Sequence, residues 1–188
     1  MSYVGELGWE LYIPTEFAPG AFETLLTDGE QFGLRLVGLH AVDTLRLEKG
    51  YRHWGSDITP DDTPFEAGLS FAVKLDKDDF IGREALIRQR ASDLTRKLVM
   101  FTLENPEPLL YHDEPIYRNG ELVSSVTHGA YAHLLGCAMG MGYLEQPEGI
   151  SDEWILSGRY EIDVEGTRIP AKVHLNAPYD PSGERVRM

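Results

Sequence analysis

The stretch Tyr3-Val-Gly-Glu-Leu-Gly-Trp-Glu10-Leu-Tyr-Ile-Pro14 sets a carboxylate, Glu10, inside an apolar and aromatic run. Trp9 to Ile13 is rich in strand-forming residues and reads as a strand stopped by Pro14. On such a strand a carboxylate either faces water or is kept for a ligand, and the paired N–H donors of a pterin-type ring suit a carboxylate acceptor. Gly5 and Gly8, between Tyr3 and Glu10, leave room for a backbone to approach a ligand closely. By its own chemistry Glu10 reads as a strand-surface residue, so the rest of the chain must decide.

Working outward, Phe17, Phe22, Leu25 and Leu26 fall near helical spacing, and Gly29 and Gly33 end that element. From Leu36 to Lys49 the positions Val37, Leu39, Val42, Leu45 and Leu47 predict a second helix, closed by Gly50. Residues 51–68 read as loop. Leu69 to Leu75 alternates as a strand would, and Gly82 to Ser92 predicts a helix with Glu84 near its start and Arg88 and Arg90 near its end, as the helix dipole favours. Beyond Thr95 come short β-rich runs, Lys97 to Leu103, Glu121 to Val126 and Ile169 to Leu175. Turn signals punctuate them at Asn119-Gly120, Glu165-Gly166 and Asn105-Pro-Glu-Pro108. The boundary falls near residues 90–96, giving an α+β region over 1–92 and a small antiparallel β domain over 96–188. The first region opens directly on a strand with nothing to complete a sheet, as a second half would.

Composition narrows the function classes. The 188 residues carry a net charge of -14, spread over both halves of the chain, which argues against nucleic acid and anionic membranes as partners. No apolar run approaches the roughly 20 residues that span a bilayer, and no secretory signal opens the chain. A single cysteine, Cys137, fits a reducing compartment. The expectation is a cytoplasmic enzyme or binding protein.

Most motif-like features read as structural. His128 and His133 match neither a helical face nor strand alternation and lack a Cys or carboxylate cluster, so no metal site is assigned. The glycines from Gly136 to Gly142 lack the Lys-Ser/Thr of a phosphate loop and suit a strand of small residues packed against another backbone. There is no nucleophile elbow, and Cys137 sits among small apolar residues where a thiol is inert. One other stretch stands beside the opening one. In Glu48-Lys-Gly-Tyr-Arg-His-Trp-Gly-Ser-Asp-Ile58 a helix delivers Tyr51, His53 and Trp54 into a loop. Those rings either wall a flat heteroaromatic ligand or fold back onto the core.

These stretches, in this order with Asp61-Asp-Thr-Pro-Phe-Glu-Ala-Gly-Leu and Phe80-Ile-Gly-Arg-Glu-Ala-Leu86, resemble the folate-binding aminomethyltransferase family. That family includes the T-protein of the glycine cleavage system and the folate-binding half of dimethylglycine and sarcosine dehydrogenases. Residues 2–14 look like its Tyr-x-Gly-Glu-x-Gly-x-Glu signature and Asp43-Thr-Leu-Arg-Leu-Glu48 like its following helix. Glu48 to Ile58 is nearest the dehydrogenase branch, and the likeness continues through Val126-Thr-His-Gly to Pro178-Tyr-Asp-Pro181. The resemblance implies an α+β fold that is the second half of an aminomethyltransferase-type domain followed by a small antiparallel C-terminal β-barrel. It also implies tetrahydrofolate as cofactor, with Glu10 bonded to the pterin ring, Tyr3 beside it and Tyr51 lining the pocket. Two departures stand out. Val42 occupies the position of a folate-binding arginine in the T-protein branch. The segment preceding the signature, which carries the family's catalytic aspartate, has no counterpart here, so no catalytic residue is assigned and Glu6 is read as a structural strand-end residue. The expected function is therefore the tetrahydrofolate-binding portion of a one-carbon transferase or dehydrogenase-like enzyme acting on a methylated-amine-derived unit. Its other half would be on a separate chain or lost by truncation; the alternative is a non-catalytic folate-binding or structural module. An incomplete sheet would expose an unpaired edge and apolar surface, which leads to an expectation of self-association.

Overall fold

The computed structural model describes residues 2–187. Three helices come first: α1 (Ala18–Gly29), α2 (Leu39–Glu48) and α3 (Arg83–Arg90). Six strands follow, β1 (Arg96–Leu103), β2 (Pro115–Arg118), β3 (Glu121–Ala132), β4 (Cys137–Glu145), β5 (Tyr160–Val164) and β6 (Thr167–His174), with a short helix α4 (Asp152–Ser157) between β4 and β5. All the pairings are antiparallel, and the order β1-β4-β3-β2-β5-β6 closes on itself as a barrel. The fold is thus mixed helix and strand, ending in a six-stranded antiparallel barrel. Asn119 and Gly120 turn β2 into β3, and Glu165 and Gly166 turn β5 into β6, each pair at positive φ as tight hairpins require.

Alternation along β1 and β4 divides the core in two. Val99, Phe101 and Leu103 point into the barrel, where they meet Ile116, Val126, Leu144, Ile162 and their neighbours. Leu98 and Met100 point out and pack with Met139, Met141 and Tyr143 of β4 and Leu47 of α2. Phe101 is fully buried and meets Tyr160 edge to face, ring centroids 5.4 Å apart. The run Gly136 to Gly142 is indeed strand and turn. A Cβ on Gly142 would lie 2.6 Å from Ile116 Cδ1, and one on Gly129 would lie 2.5 Å from Leu110 Cβ. Small residues here let strands and core side chains close up.

Three expectations fail in the first region. Trp9–Ile13 joins no ladder and runs as an exposed irregular segment, because no neighbouring backbone offers it hydrogen bonds. Leu69 to Leu75 is not a strand: Ser70–Ala72 forms a 3₁₀ turn, with Leu69 N–H bonded to Pro64 O at 2.7 Å and Ala72 N–H to Leu69 O at 3.0 Å. Local turn bonds consume the donors that a ladder would need. With no strand before β1, the described residues contain no unpaired sheet edge in that region, since the one sheet is closed. The apolar surface is present all the same. α1 buries none of its residues, and Trp9, Tyr12, Phe32 and Leu39 are among the exposed large side chains.

Candidate functional site

The site grows from the C-terminus of α2. Gly50, at φ 72, bonds its N–H to Leu47 O at 2.9 Å, and Tyr51 N–H reaches Arg46 O at 2.9 Å, a Schellman closure that needs the left-handed residue. That closure projects Tyr51 off the helix end. Beneath it lies a buried ion pair: Arg46 and Asp57, both with wholly inaccessible side chains, are bonded through Arg46 Nη1 and Asp57 Oδ2. The same guanidinium nitrogen donates to Tyr51 O at 3.1 Å, and Asp43 of α2 lies 3.4 Å from Arg46 Nε. Asp57 also accepts His53 N–H at 2.8 Å and the Thr127 hydroxyl of β3 at 2.9 Å. One carboxylate therefore binds helix, loop and barrel together.

Tyr3 stacks on Tyr51 with centroids 6.1 Å apart and planes 17° from parallel, and its hydroxyl donates to Arg52 O at 2.9 Å. Burial pushes the Tyr3 phenol up; Arg46 pulls it down, while Asp57 and Asp43 push it up again. Behind the loop, His128 of β3 meets His53 with ring centroids 6.5 Å apart. Burial holds His128 below the ordinary histidine range, and Arg46 lowers it further. Two of the three expected ligand residues, Tyr3 and Tyr51, thus come together over a buried ion pair, in which Arg46 Nη2 is buried without a hydrogen-bond partner.

Glu10 stands apart from that pair. Its carboxylate is exposed and accepts the Tyr12 hydroxyl at 3.1 Å. The two glycines before it serve the chain's own packing: Cβ atoms at Gly5 and Gly8 would lie 2.6 Å from Lys49 Cγ and 2.9 Å from Ser2 Cβ. Glu6 is not a strand end but the acceptor for the Tyr179 hydroxyl, tying the opening segment to the stretch that follows β6. In the loop, Trp54 is exposed rather than folded onto the core. Burial raises the Cys137 thiol, with Glu48 adding to the shift, as suits an inert cysteine. Among the described residues no group of three or more His, Cys, Asp or Glu side chains is placed to hold a metal ion, and no helix is long and apolar enough to cross a membrane.

The residues that reading of the sequence missed are Arg46, Asp57 and Thr127. The spacing of Asp43 and Arg46 on one helical face was a signal; nothing local links Asp57 to Thr127, seventy positions away.

The chain is similar to known proteins over most of its length. Residues 1–77 match the family model described as the GCVT N-terminal domain, and residues 96–180 match the glycine cleavage T-protein C-terminal barrel domain. The chain belongs to the glycine cleavage T-protein family. Human mitochondrial sarcosine dehydrogenase is 41% identical over 190 residues, covering 100% of this chain and 21% of its own length. The 4-methylaminobutanoate oxidase (formaldehyde-forming) of Paenarthrobacter nicotinovorans is 43% identical over 188 residues, again 100% of this chain and 22% of that protein. An aminomethyltransferase of Halothermothrix orenii is 42% identical over 81% of this chain and 43% of its own. The crystal structure of glycine cleavage system aminomethyltransferase T from Bartonella henselae superposes with a TM-score of 0.82 at 28% identity, over 96% of this chain and 48% of that one. The chain spans about a fifth of the length of the two oxidising relatives.

Proposed function

We propose that this chain is the tetrahydrofolate-binding portion of a T-protein-family enzyme, either a one-carbon transferase or a sarcosine or dimethylglycine dehydrogenase-like protein. The observation that carries the reading is the stacked Tyr3–Tyr51 pair held over the buried Arg46–Asp57 base. Paired aromatic rings offer a flat heteroaromatic ligand a stacking edge, and the exposed Glu10 carboxylate on the same opening segment is a fitting acceptor for the N–H donors of a pterin. When bound, tetrahydrofolate would supply the amine nitrogens that receive a one-carbon unit from a methylated amine. The residues here bind and orient it, and no group of this chain is assigned the proton transfers.

The test is a tetrahydrofolate titration followed by quenching of tryptophan fluorescence. Saturable quenching is expected, weakened several-fold by Tyr51→Ala and by Glu10→Ala. Unchanged affinity in both variants would remove the ligand from this site. The same reading places a covering partner on the apolar face of α1 and residues 7–14, either the rest of such an enzyme or a second copy of the chain. Sedimentation of the isolated chain should show association at micromolar concentration, and a strictly monomeric species would exclude the second copy.

A further inference from the structure

A cavity of about 570 Å³ opens between the loop after α2, the end of α3 and the outer face of β1 and β4. Its size is that of a small-molecule site. Lys49, Arg52, Arg90 and Lys97 line it, and among the described residues no aspartate or glutamate does. Acidic residues outnumber basic ones 31 to 17 in the chain, so this wall reverses the sign of the whole molecule.

Two of the four cations already have partners. Lys49 is paired with Asp180, and Lys97 with Asp152 at 2.5 Å. Among the described residues, neither Arg52 nor Arg90 has a carboxylate within ion-pair distance. Arg52 donates from Nε to Ala67 O at 2.9 Å and from Nη1 to Gly50 O, carbonyl acceptors that do not neutralise its charge. Burial pulls this guanidinium below its usual range, with Asp57 and Tyr143 opposing. A half-buried cation without a counter-ion is costly, and a bound anion offsets that cost. A further unmet need lies alongside. Gln89, also lining the cavity, gives its amide N–H to Thr63 Oγ1 at 2.7 Å and leaves Oε1 buried with no partner. Phe65, Leu98 and Met100 supply apolar wall.

We propose that this cavity binds a small oxyanion, a carboxylate- or phosphate-bearing molecule with an apolar body and an O–H or N–H donor, gripped by Arg52 and Arg90. None of Tyr3, Glu10 and Tyr51 lines it; the cavity adjoins the proposed pterin contact through the Arg52 carbonyl that holds Tyr3, and the proposal does not depend on that reading. A guanidinium fork suits either anion.

The probes are citrate and pyrophosphate, titrated calorimetrically into the whole chain at about 0.15 M ionic strength, where long-range attraction is screened within about 8 Å. Saturable binding of at least one probe is expected, and the tighter of the two identifies the anion class. Arg90→Gln should weaken it about tenfold, the loss of one charge-assisted contact. Arg52→Lys keeps the charge but loses the fork and should weaken it by a similar factor. Lys77→Gln removes the same charge at an exposed turn outside the cavity and should leave affinity unchanged. Circular dichroism identical to wild type keeps the Arg90→Gln result interpretable should Arg52→Lys prove unstable. The proposal is overturned if neither probe binds up to millimolar concentration, or if Lys77→Gln weakens binding as much as Arg90→Gln.

Discussion

Removing Asp57 should be the most damaging single change to the base of the candidate site. Its carboxylate and the Arg46 guanidinium are both wholly inaccessible, so Asp57→Ala leaves an arginine charge buried with only Asp43 at 3.4 Å to answer it. Breaking a buried pair from one side costs about 3–5 kcal/mol. The partly exposed Asp43 moderates that charge term, while the orphaned His53 N–H adds about 1 kcal/mol or more. Thr127 loses less, because its hydroxyl can turn to Met141 O at 3.2 Å. The sum is about 4 kcal/mol, a large share of the roughly 5–15 kcal/mol that holds a domain folded. Urea unfolding followed by far-ultraviolet circular dichroism measures it, with an unchanged m-value showing that stability rather than compactness has moved. Arg46→Met in the same background should recover about 2 kcal/mol or more, since neither charge is then left alone. A cost below about 1 kcal/mol for Asp57→Ala, or additivity of the two substitutions, would refute the account of this pair as the keystone between helix, loop and barrel.

Acid should weaken the fold before the carboxylates titrate. His128 and His174 are both held below their ordinary value of 6.5 by burial, His128 also by Arg46 and His174 by Lys172. The unfolded chain therefore takes up these protons first, so stability is full above about pH 6.5 and is lost as pH falls toward the folded-state values. Urea midpoints should drop between pH 7.5 and 5.5, and His174→Gln, which can keep the 2.8 Å contact with Thr102, should flatten that drop; an equal drop in the variant counts against the assignment. In the barrel, Gly142→Ala drives a methyl to 2.6 Å from the fully buried Ile116 and 3.0 Å from Ser125 O. Overpacking of that kind costs about 1–3 kcal/mol, and a thermal midpoint within error of wild type would show that the strand yields.

What the sequence made legible was what depends on neighbours in the chain. The β2–β3 and β5–β6 hairpins announced themselves through Asn119-Gly120 and Glu165-Gly166, and Gly50 marked the end of α2 because a left-handed residue was needed there. Trp9–Ile13 failed as a strand because strand propensity describes a surface to be paired, and pairing is decided elsewhere. Leu69–Leu75 failed because alternation says nothing of whether the N–H groups are already spent in turns. Tyr51 was found from its loop; the Arg46–Asp57–Thr127 bonding beneath it joins residues far apart in sequence, each of an ordinary type in an ordinary place.

The tethers between the first region and the barrel then rank the proposed ligand contacts. Glu48 accepts Leu134 N–H at 2.7 Å, Asp57 holds Thr127, and Glu66 O accepts Leu98 N–H at 2.8 Å, so the end of a ten-residue helix that would be marginal alone, and the loop that follows it, are fastened to the barrel on either side of Tyr51. The opening segment is fastened through Tyr3 to Arg52 O and through Glu6 to Tyr179, while Glu10 lies beyond both anchors, exposed. In the proposed pterin site Tyr51 is preorganised and Glu10 must be ordered on binding, which costs about 0.5–1.5 kcal/mol for a rotamer-rich side chain. Tyr51→Ala should therefore cost more tetrahydrofolate affinity than Glu10→Ala, and fixing Glu10 in place by filling the face beside it should narrow the difference. The reverse order in a titration of the two variants would mean that the carboxylate, not the ring, leads recognition.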